Sequence, residues 1–378
     1  MAAKQGRAKA TPSLRRIVVK IGSSTLTAGT DRLNRPQMLE LVRQIARLHA
    51  QGMSIVIVSS GAMASGREAL GFPKGRKDIP FKQVLAAVGQ ARLMQVWDQL
   101  FSLYDIIVAQ TLLTREDLAD RHRYLNARNT LLALLERRVI PIVNENDVVG
   151  VEEIKIGDND NLSALVANAI DADLLVLLTD IAGLYTADPR VDPTATLIPT
   201  VQSIDASIEA LGGKPGSERG VGGMQTKIQA ARLATESGVT VVIADGSLPA
   251  VLERLAAGEA IGTRFLPVES NVESRRRWII GGLISRGEVV VDNGAATAVL
   301  RDGKSLLPAG ISAVHGRFER GDTITIKDNT GKKLACGVAN YGAADMARIR
   351  GQRSADIEAI LGYEYGEEAV HRNNLVLL

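Results

Sequence analysis

With one cysteine, Cys336, in 378 residues, the chain cannot form an internal disulfide, which points to a reducing compartment and a cytoplasmic location. Aromatic residues make up only 3%, so the cores must be built from Leu, Val, Ile and Ala. No apolar run approaches the roughly 18 residues that a membrane span requires, so no membrane association is expected. Four histidines, His49, His122, His315 and His371, are scattered without metal-ligand spacing, and no protein metal site is expected. The first sixteen residues carry five Lys/Arg and no acid, but lack the apolar stretch of a signal peptide. Residues 1–13 therefore read as a disordered basic tail. The whole chain carries only +3, and no long basic stripe for nucleic acid is visible.

What is present fits a globular α/β protein: 46% hydrophobic residues and 36 glycines, in a length sufficient for two domains. Arg16-Ile-Val-Val-Lys-Ile-Gly-Ser-Ser24 reads as a strand running into a Gly/Ser turn. Arg35–Gln51 is an amphipathic helix, with Pro36 suited to its first turn. Met53–Ser59 is a second buried strand, Phe81–Tyr104 a long apolar helix, and Asp105–Gln110 and Val139–Val143 two further strands around helix Arg121–Arg138. On the long helix, Gln90, Met94 and Trp97 share helical spacing, which suits core or subunit interface better than a ligand site. Then follow helix Asp160–Ala169, strand Asp173–Thr179, a Pro/Asp/Thr-rich hairpin or lid over Leu184–Thr200, helix Met224–Ser237, and strands Val239–Ala244 and Ile261–Phe265. This alternation predicts a mostly parallel open sheet sandwiched by helices over residues 14–270. After a linker at 271–284, short β-like runs at Glu288–Val291, Ala298–Leu300, Thr323–Lys327 and Lys333–Ala339 predict a small β-barrel over 285–365, with residues 366–378 as a tail.

Candidate site residues gather at the predicted strand ends, where open α/β sheets bind ligands. Lys20 is unusual inside a buried strand, because burying its charge is costly without an anionic partner. It could serve as a phosphate ligand beside Gly-Ser-Ser, or reach out at the sheet edge. Ser60 could bind ligand, cap a helix, or do both. Asn144–Ala169 brings Asn144, Asn146, Asp147, Asp158, Asn159 and Asp160 to a loop and a helix start. That cluster could hold a zwitterion, with carboxylates for an ammonium and N–H groups for a carboxylate, or it could be two capped turns on a solvated acidic loop. Gly220-Val-Gly-Gly-Met-Gln-Thr-Lys227 opens a helix with bare N–H groups and a first-turn lysine, which is a phosphate cradle or a flexible linker. The spacing is neither that of a P-loop nor that of a dinucleotide fingerprint.

In this order, VVKIGSS, VSSGAMASG, PIVNEND, GDNDNLSALVA, LLTDIAGLYTADPR and GGMQTK resemble the glutamate 5-kinases of the amino acid kinase superfamily. Asp302–Ile311 and Gly316–Asp322 resemble the PUA domain appended to them, and the resemblance runs over about residues 14–365. It implies ATP-dependent phosphorylation of the γ-carboxylate of L-glutamate, the first step of proline biosynthesis, with Mg²⁺. Carried over by motif, Lys20 and Lys227 would touch the transferring phosphoryl group and Asp160 would position them. Ser60, Asp147 and Asn159 would bind glutamate. Lys20, Thr179, Asp180, Val221, Gly222, Gly223, Met224, Gln225, Thr226 and Lys227 would bind ATP. Val221 departs from the family threonine and loses a hydroxyl. The resemblance also implies L-proline as feedback inhibitor, a homo-oligomer, and hand-over of product to glutamate-5-semialdehyde dehydrogenase. Competing readings are sister kinases of N-acetylglutamate, aspartate, carbamate or UMP, and an RNA-binding protein acting through the PUA domain. RNA is disfavoured by the few rings available after residue 270.

Overall fold

Arg16–Ile21 forms β1, a central strand whose residues Ile17 to Ile21 are all buried. The structure is a computed structural model and describes residues 14–72, 78–150, 159–213, 223–267 and 286–378. Two units make up the chain: Met1–Leu118 with Ala127–Val268, and Ala119–Asn126 with Glu269–Leu378.

Along the chain, β1 is followed by α1 (Ser23–Thr27), α2 (Arg35–Ala50), β2 (Ser54–Ser59), α3 (Ala62–Ala69), α4 (Ile79–Ser102), β3 (Val108–Leu113), α5 (Arg115–Ala119), α6 (Arg121–Glu136) and β4 (Ile140–Glu145), with the end of α5 and the start of α6, Ala119–Asn126, grouping with the second unit. Next come α7 (Asp160–Ala169), β5 (Leu174–Thr179), β6 (Thr200–Val201), α8 (Ala206–Ala210), α9 (Met224–Thr235), β7 (Thr240–Asp245), α10 (Val251–Ala256) and β8 (Thr263–Phe265). The helix starts follow local chemistry. Asn34 accepts the Gln37 N–H at 3.1 Å ahead of α2, and Asp78 accepts the Phe81 N–H at 2.9 Å ahead of α4, each with a proline in the first turn.

The strands assemble in the order β3-β4-β2-β1-β5-β7-β8-β6. From β3 to β7 every pairing is parallel, while β8 pairs antiparallel with β7 and β6 pairs parallel with β8. Ile17, Val19 and Ile21 of β1 join one core with Met38, Leu41, Val42 and Ile45 of α2, Leu93, Trp97 and Phe101 of α4, and Leu252 of α10. Side chains alternate across a strand, so Val18 and Lys20 share the opposite face, where β1 packs against α7. Leu184–Thr200 is a hairpin-like excursion. Tyr185 bridges Leu197, and Thr186 donates its N–H to the Thr196 carbonyl at 3.0 Å.

In the second unit, β9 (Gly287–Val291), α11 (Asn293–Leu300), β10 (Ile311–Gly316), β11 (Thr323–Lys327), β12 (Lys333–Val338), α12 (Ala343–Ile349), α13 (Ile357–Leu361) and β13 (Leu375–Leu377) give a five-stranded mixed sheet, ordered β10-β9-β11-β12-β13. Two expectations fail here. Ala298–Leu300 is not β-like but the end of α11, because the Asp292 side chain caps that helix through the Ala295 N–H at 2.7 Å. Nor are residues 366–378 a tail: β13 pairs antiparallel with β12, and Ala369 and Val370 are fully buried in the second core. The expected basic tail and linker lie outside the described residues.

Candidate active site

Parallel pairing brings the carboxyl ends of the central strands to one edge. Lys20 stands level with Val58 on one side and Leu177 on the other, and the Ser60 N–H donates to the Ile21 carbonyl at 3.1 Å. Lys20 does not reach for the sheet edge. Its ammonium lies 2.5 Å from Asp160 Oδ1, in a pair almost wholly shielded from water. Lys227 comes from the first turn of α9 to the other carboxylate oxygen, at 3.1 Å, and Thr226 donates its hydroxyl to that same oxygen at 2.9 Å. One carboxylate with no solvent exposure thus ties two ammonium groups 207 positions apart in the chain into a single cluster. Charges held in a site this dry act strongly on an incoming anion and need no rearrangement to do so. A Cβ on Gly22 would stand 3.6 Å from the Lys20 ammonium, in ordinary van der Waals contact, so this turn runs close beside that lysine.

Beside the cluster is a small pocket of about 50 Å³, lined by Ser23, Ser60, Gly61, Asn144, Glu145, Asp147 and Asn159 among others. Gly61 forms its lip in a left-handed conformation, φ 102°, and opens α3, so glycine rather than Ser60 is the helix cap. The capping role expected of Asn159 is also not taken: its side chain caps no N–H of α7. Instead its amide nitrogen donates to the Ser59 carbonyl at 3.0 Å and to Asn144 Oδ1 at 2.7 Å. Asp147, half-buried, sits in the turn after β4.

Thr179 and Asp180 lie on the other side of β1, at the end of β5, where the Thr179 hydroxyl donates to Asp180 Oδ1 at 3.1 Å. Gly223 caps α9 without a side chain, and Met224 and Gln225 occupy its first turn. Strand order therefore separates the two groups of candidates. Ser60, Asn144 and Asp147 lie at the carboxyl ends of β2 and β4, Thr179 and Asp180 at that of β5, and Lys20 on β1 is between them.

The profile of the amino acid kinase family matches residues 15–245, and that of the PUA domain matches residues 287–361. The chain belongs to the amino acid kinase family. Among its curated relatives are a glutamate 5-kinase of Herpetosiphon aurantiacus, 58% identical over 96% of this chain and 98% of the relative, and one of Deinococcus radiodurans, 55% identical over 96% and 100%. A glutamate 5-kinase of Dehalococcoides mccartyi is 53% identical over 96% of this chain and 98% of its own.

In this amino acid kinase, tertiary structure brings Lys20, Asp160, Thr226 and Lys227 into one cluster, and Ser60, Asp147 and Asn159 to one pocket. Of the expected cradle, Val221 and Gly222 lie outside the described residues, as does Asp158 of the acidic loop. Sequence reasoning did not single out Glu145, which is buried at the end of β4 and lines the pocket. It also gave Thr226 to nucleotide alone, although its hydroxyl is engaged by Asp160. An acidic residue closing a buried strand was the available signal for Glu145; no local pattern marks the Thr226 contact. Among the described residues no group of three or more His, Cys, Asp or Glu side chains could hold a metal ion, and no helix is long and apolar enough to cross a membrane.

Proposed function

We propose that the chain transfers the γ-phosphoryl group of ATP to the γ-carboxylate of L-glutamate, giving L-glutamyl 5-phosphate and ADP, and so begins proline synthesis. The observation that carries this reading is the shared Asp160 carboxylate, which holds the Lys20 and Lys227 ammonium groups beside the polar pocket. The reaction must bring a carboxylate against a phosphoryl group, so two anions meet. Phosphoryl transfer depends mainly on positioning and charge neutralisation, which two preset lysines supply. The nucleophile has a reference pKa of ~4.3 and is already ionised near neutral pH, so no catalytic base is needed.

Glutamate occupies the pocket at Ser60, Asp147 and Asn159. ATP lies toward Thr179, Asp180 and the start of α9, with Gly223, Met224 and Gln225 at its phosphates. Lys20 and Lys227 face the transferring group, and Asp160 keeps both ammonium groups aimed at it. Mg²⁺ in kinase sites is bound largely by substrate phosphates and water with one or two carboxylates, so it would arrive with ATP and screen the phosphate charge. Asp180, exposed at the end of β5, is a carboxylate available on that side. L-proline inhibits by competing at or near the glutamate pocket, the chain works as a cytoplasmic homo-oligomer, and its labile acyl phosphate passes to a glutamate-5-semialdehyde dehydrogenase.

The test is ATP- and Mg²⁺-dependent acyl-phosphate formation, trapped as the hydroxamate, with L-glutamate, N-acetylglutamate and L-aspartate, and ADP release with carbamate and UMP. L-glutamate is expected to be the preferred acceptor. Preference for any of the other four would overturn the substrate assignment and leave the phosphate site standing.

A further inference from the structure

Helix α4 reaches the substrate pocket without lining it. Gln83, Gln90 and Trp97 recur every seven residues, about two turns apart, so they share one stripe. Each ends on a different segment that forms the pocket. Gln83 Nε2 donates to the carbonyls of Asp147 at 3.2 Å and Val148 at 3.0 Å. Gln90 Oε1 accepts from Asn144 Nδ2 at 2.7 Å. Trp97 Nε1 donates to Ser59 Oγ at 3.0 Å, and that hydroxyl donates to the Ser60 carbonyl at 2.9 Å. The same helix meets α3 backbone to backbone: a Cβ on Gly89 would fall 1.8 Å from the Ala62 carbonyl oxygen.

Of these contacts, the one through Gln90 decides the chemistry of the pocket. The backbone N–H of Glu145 donates to Asn144 Oδ1 at 2.9 Å, which fixes which end of that amide is oxygen. Its nitrogen must then point at Gln90, which meets it with an oxygen. Asn144 Oδ1 also accepts from Asn159 Nδ2, whose second hydrogen goes to the Ser59 carbonyl. Both N–H groups of Asn159 are therefore committed inward, and the atom left for a ligand is its carbonyl oxygen. An asparagine can offer a pocket either donors, which suit a carboxylate, or an acceptor, which suits an ammonium. Here the relay selects the acceptor.

We propose that Gln90 is a positioning residue for substrate specificity: through Asn144 it holds Asn159 with its carbonyl oxygen presented to the α-ammonium of the amino acid substrate. This rests on the glutamate kinase reading given above. Without the Gln90 oxygen, the buried Asn144 amide nitrogen loses its acceptor, and rotating to recover one would withdraw Oδ1 from Asn159. The effect falls on the ammonium and spares both carboxylates of the substrate.

The experiment compares the parent chain with Gln90→Met, which keeps the stem without the oxygen, and Gln90→Glu, which keeps an acceptor. Gln90→Glu sacrifices no contact among the described residues, because Gln90 Nε2 is buried there without a partner. Steady-state kinetics give kcat and KM for L-glutamate and ATP. Competition gives Ki for glutarate, which has the same chain and carboxylates but no ammonium. For Gln90→Met, glutamate KM should rise about tenfold, while glutarate Ki, ATP KM and kcat stay within about twofold of the parent. Gln90→Glu should restore glutamate KM to within about twofold. Equal shifts for glutamate and glutarate, or a Gln90→Glu that behaves like Gln90→Met, would overturn the relay and leave the kinase reading intact. A parent chain that does not turn over glutamate would overturn both.

Discussion

Replacing Lys227 by methionine removes one ammonium from the Asp160 cluster and keeps an apolar stem in its place. Asp160 is not orphaned, since it retains Lys20 at 2.5 Å and the Thr226 hydroxyl at 2.9 Å. One hydrogen bond to a charged group is lost, so the fold should give up no more than about 2 kcal/mol, partly offset because methionine needs no charged partner. The effect on rate should be larger. An ammonium about 4 Å from developing charge, at an effective dielectric near 20, contributes roughly 4 kcal/mol. Loss of one preset electrostatic group elsewhere costs roughly 100- to 1,000-fold in kcat, or about 2.7–4 kcal/mol, and the two figures agree. We therefore expect Lys227→Met to lower kcat by at least about 100-fold with glutamate KM within about threefold of the parent. Steady-state hydroxamate or ADP-release kinetics measure this, and a thermal melt shows that the fold persists. A kcat within about fivefold of the parent, or a loss carried by glutamate KM alone, would refute the assignment of Lys227 to the transferring group.

Asp160→Asn should be worse for both stability and rate, because two buried ammonium groups lose their shared counter-charge; about 3–5 kcal/mol of stability is at stake, and an undiminished chemical-denaturation midpoint would contradict it. Asp147→Ala should raise glutamate KM about tenfold or more with ATP KM nearly unchanged, since Asp147 lines the pocket proposed to hold glutamate; an effect confined to ATP would contradict that proposal. Gly89→Ala sets helix propensity against packing. Alanine favours an exposed helix by about 1 kcal/mol, but here its Cβ would lie 1.8 Å from the Ala62 carbonyl oxygen and 2.4 Å from the Gly66 nitrogen. Overpacking of about 1–3 kcal/mol or more should win, so the melting temperature is expected to fall by several degrees; an unchanged or raised value would show that α3 and α4 can separate freely.

The sequence by itself determined the alternation of strands and helices, because period and turn chemistry are local. It marked Lys20 by the cost of a charge within a buried strand, and it ordered the motifs by which the family is recognised. Local rules misled where a long-range partner outbid them. Asn159 looks like a cap by type and position, but its amide is drawn to Ser59 and Asn144, 100 and 15 positions away. Ala298–Leu300 has strand-like composition but ends a helix that Asp292 starts. Leu375–Leu377 reads as an end and becomes a strand because β12 offers it an edge. Only the tertiary structure decided that β1 stands between β2 and β5, which puts Lys20 between the two groups of candidate ligands. Only it decided that one carboxylate serves both lysines, and which face of the Asn159 amide meets the pocket. These outcomes depend on distances between residues far apart in the chain, and hydrogen-bond direction is settled only when both partners are in place.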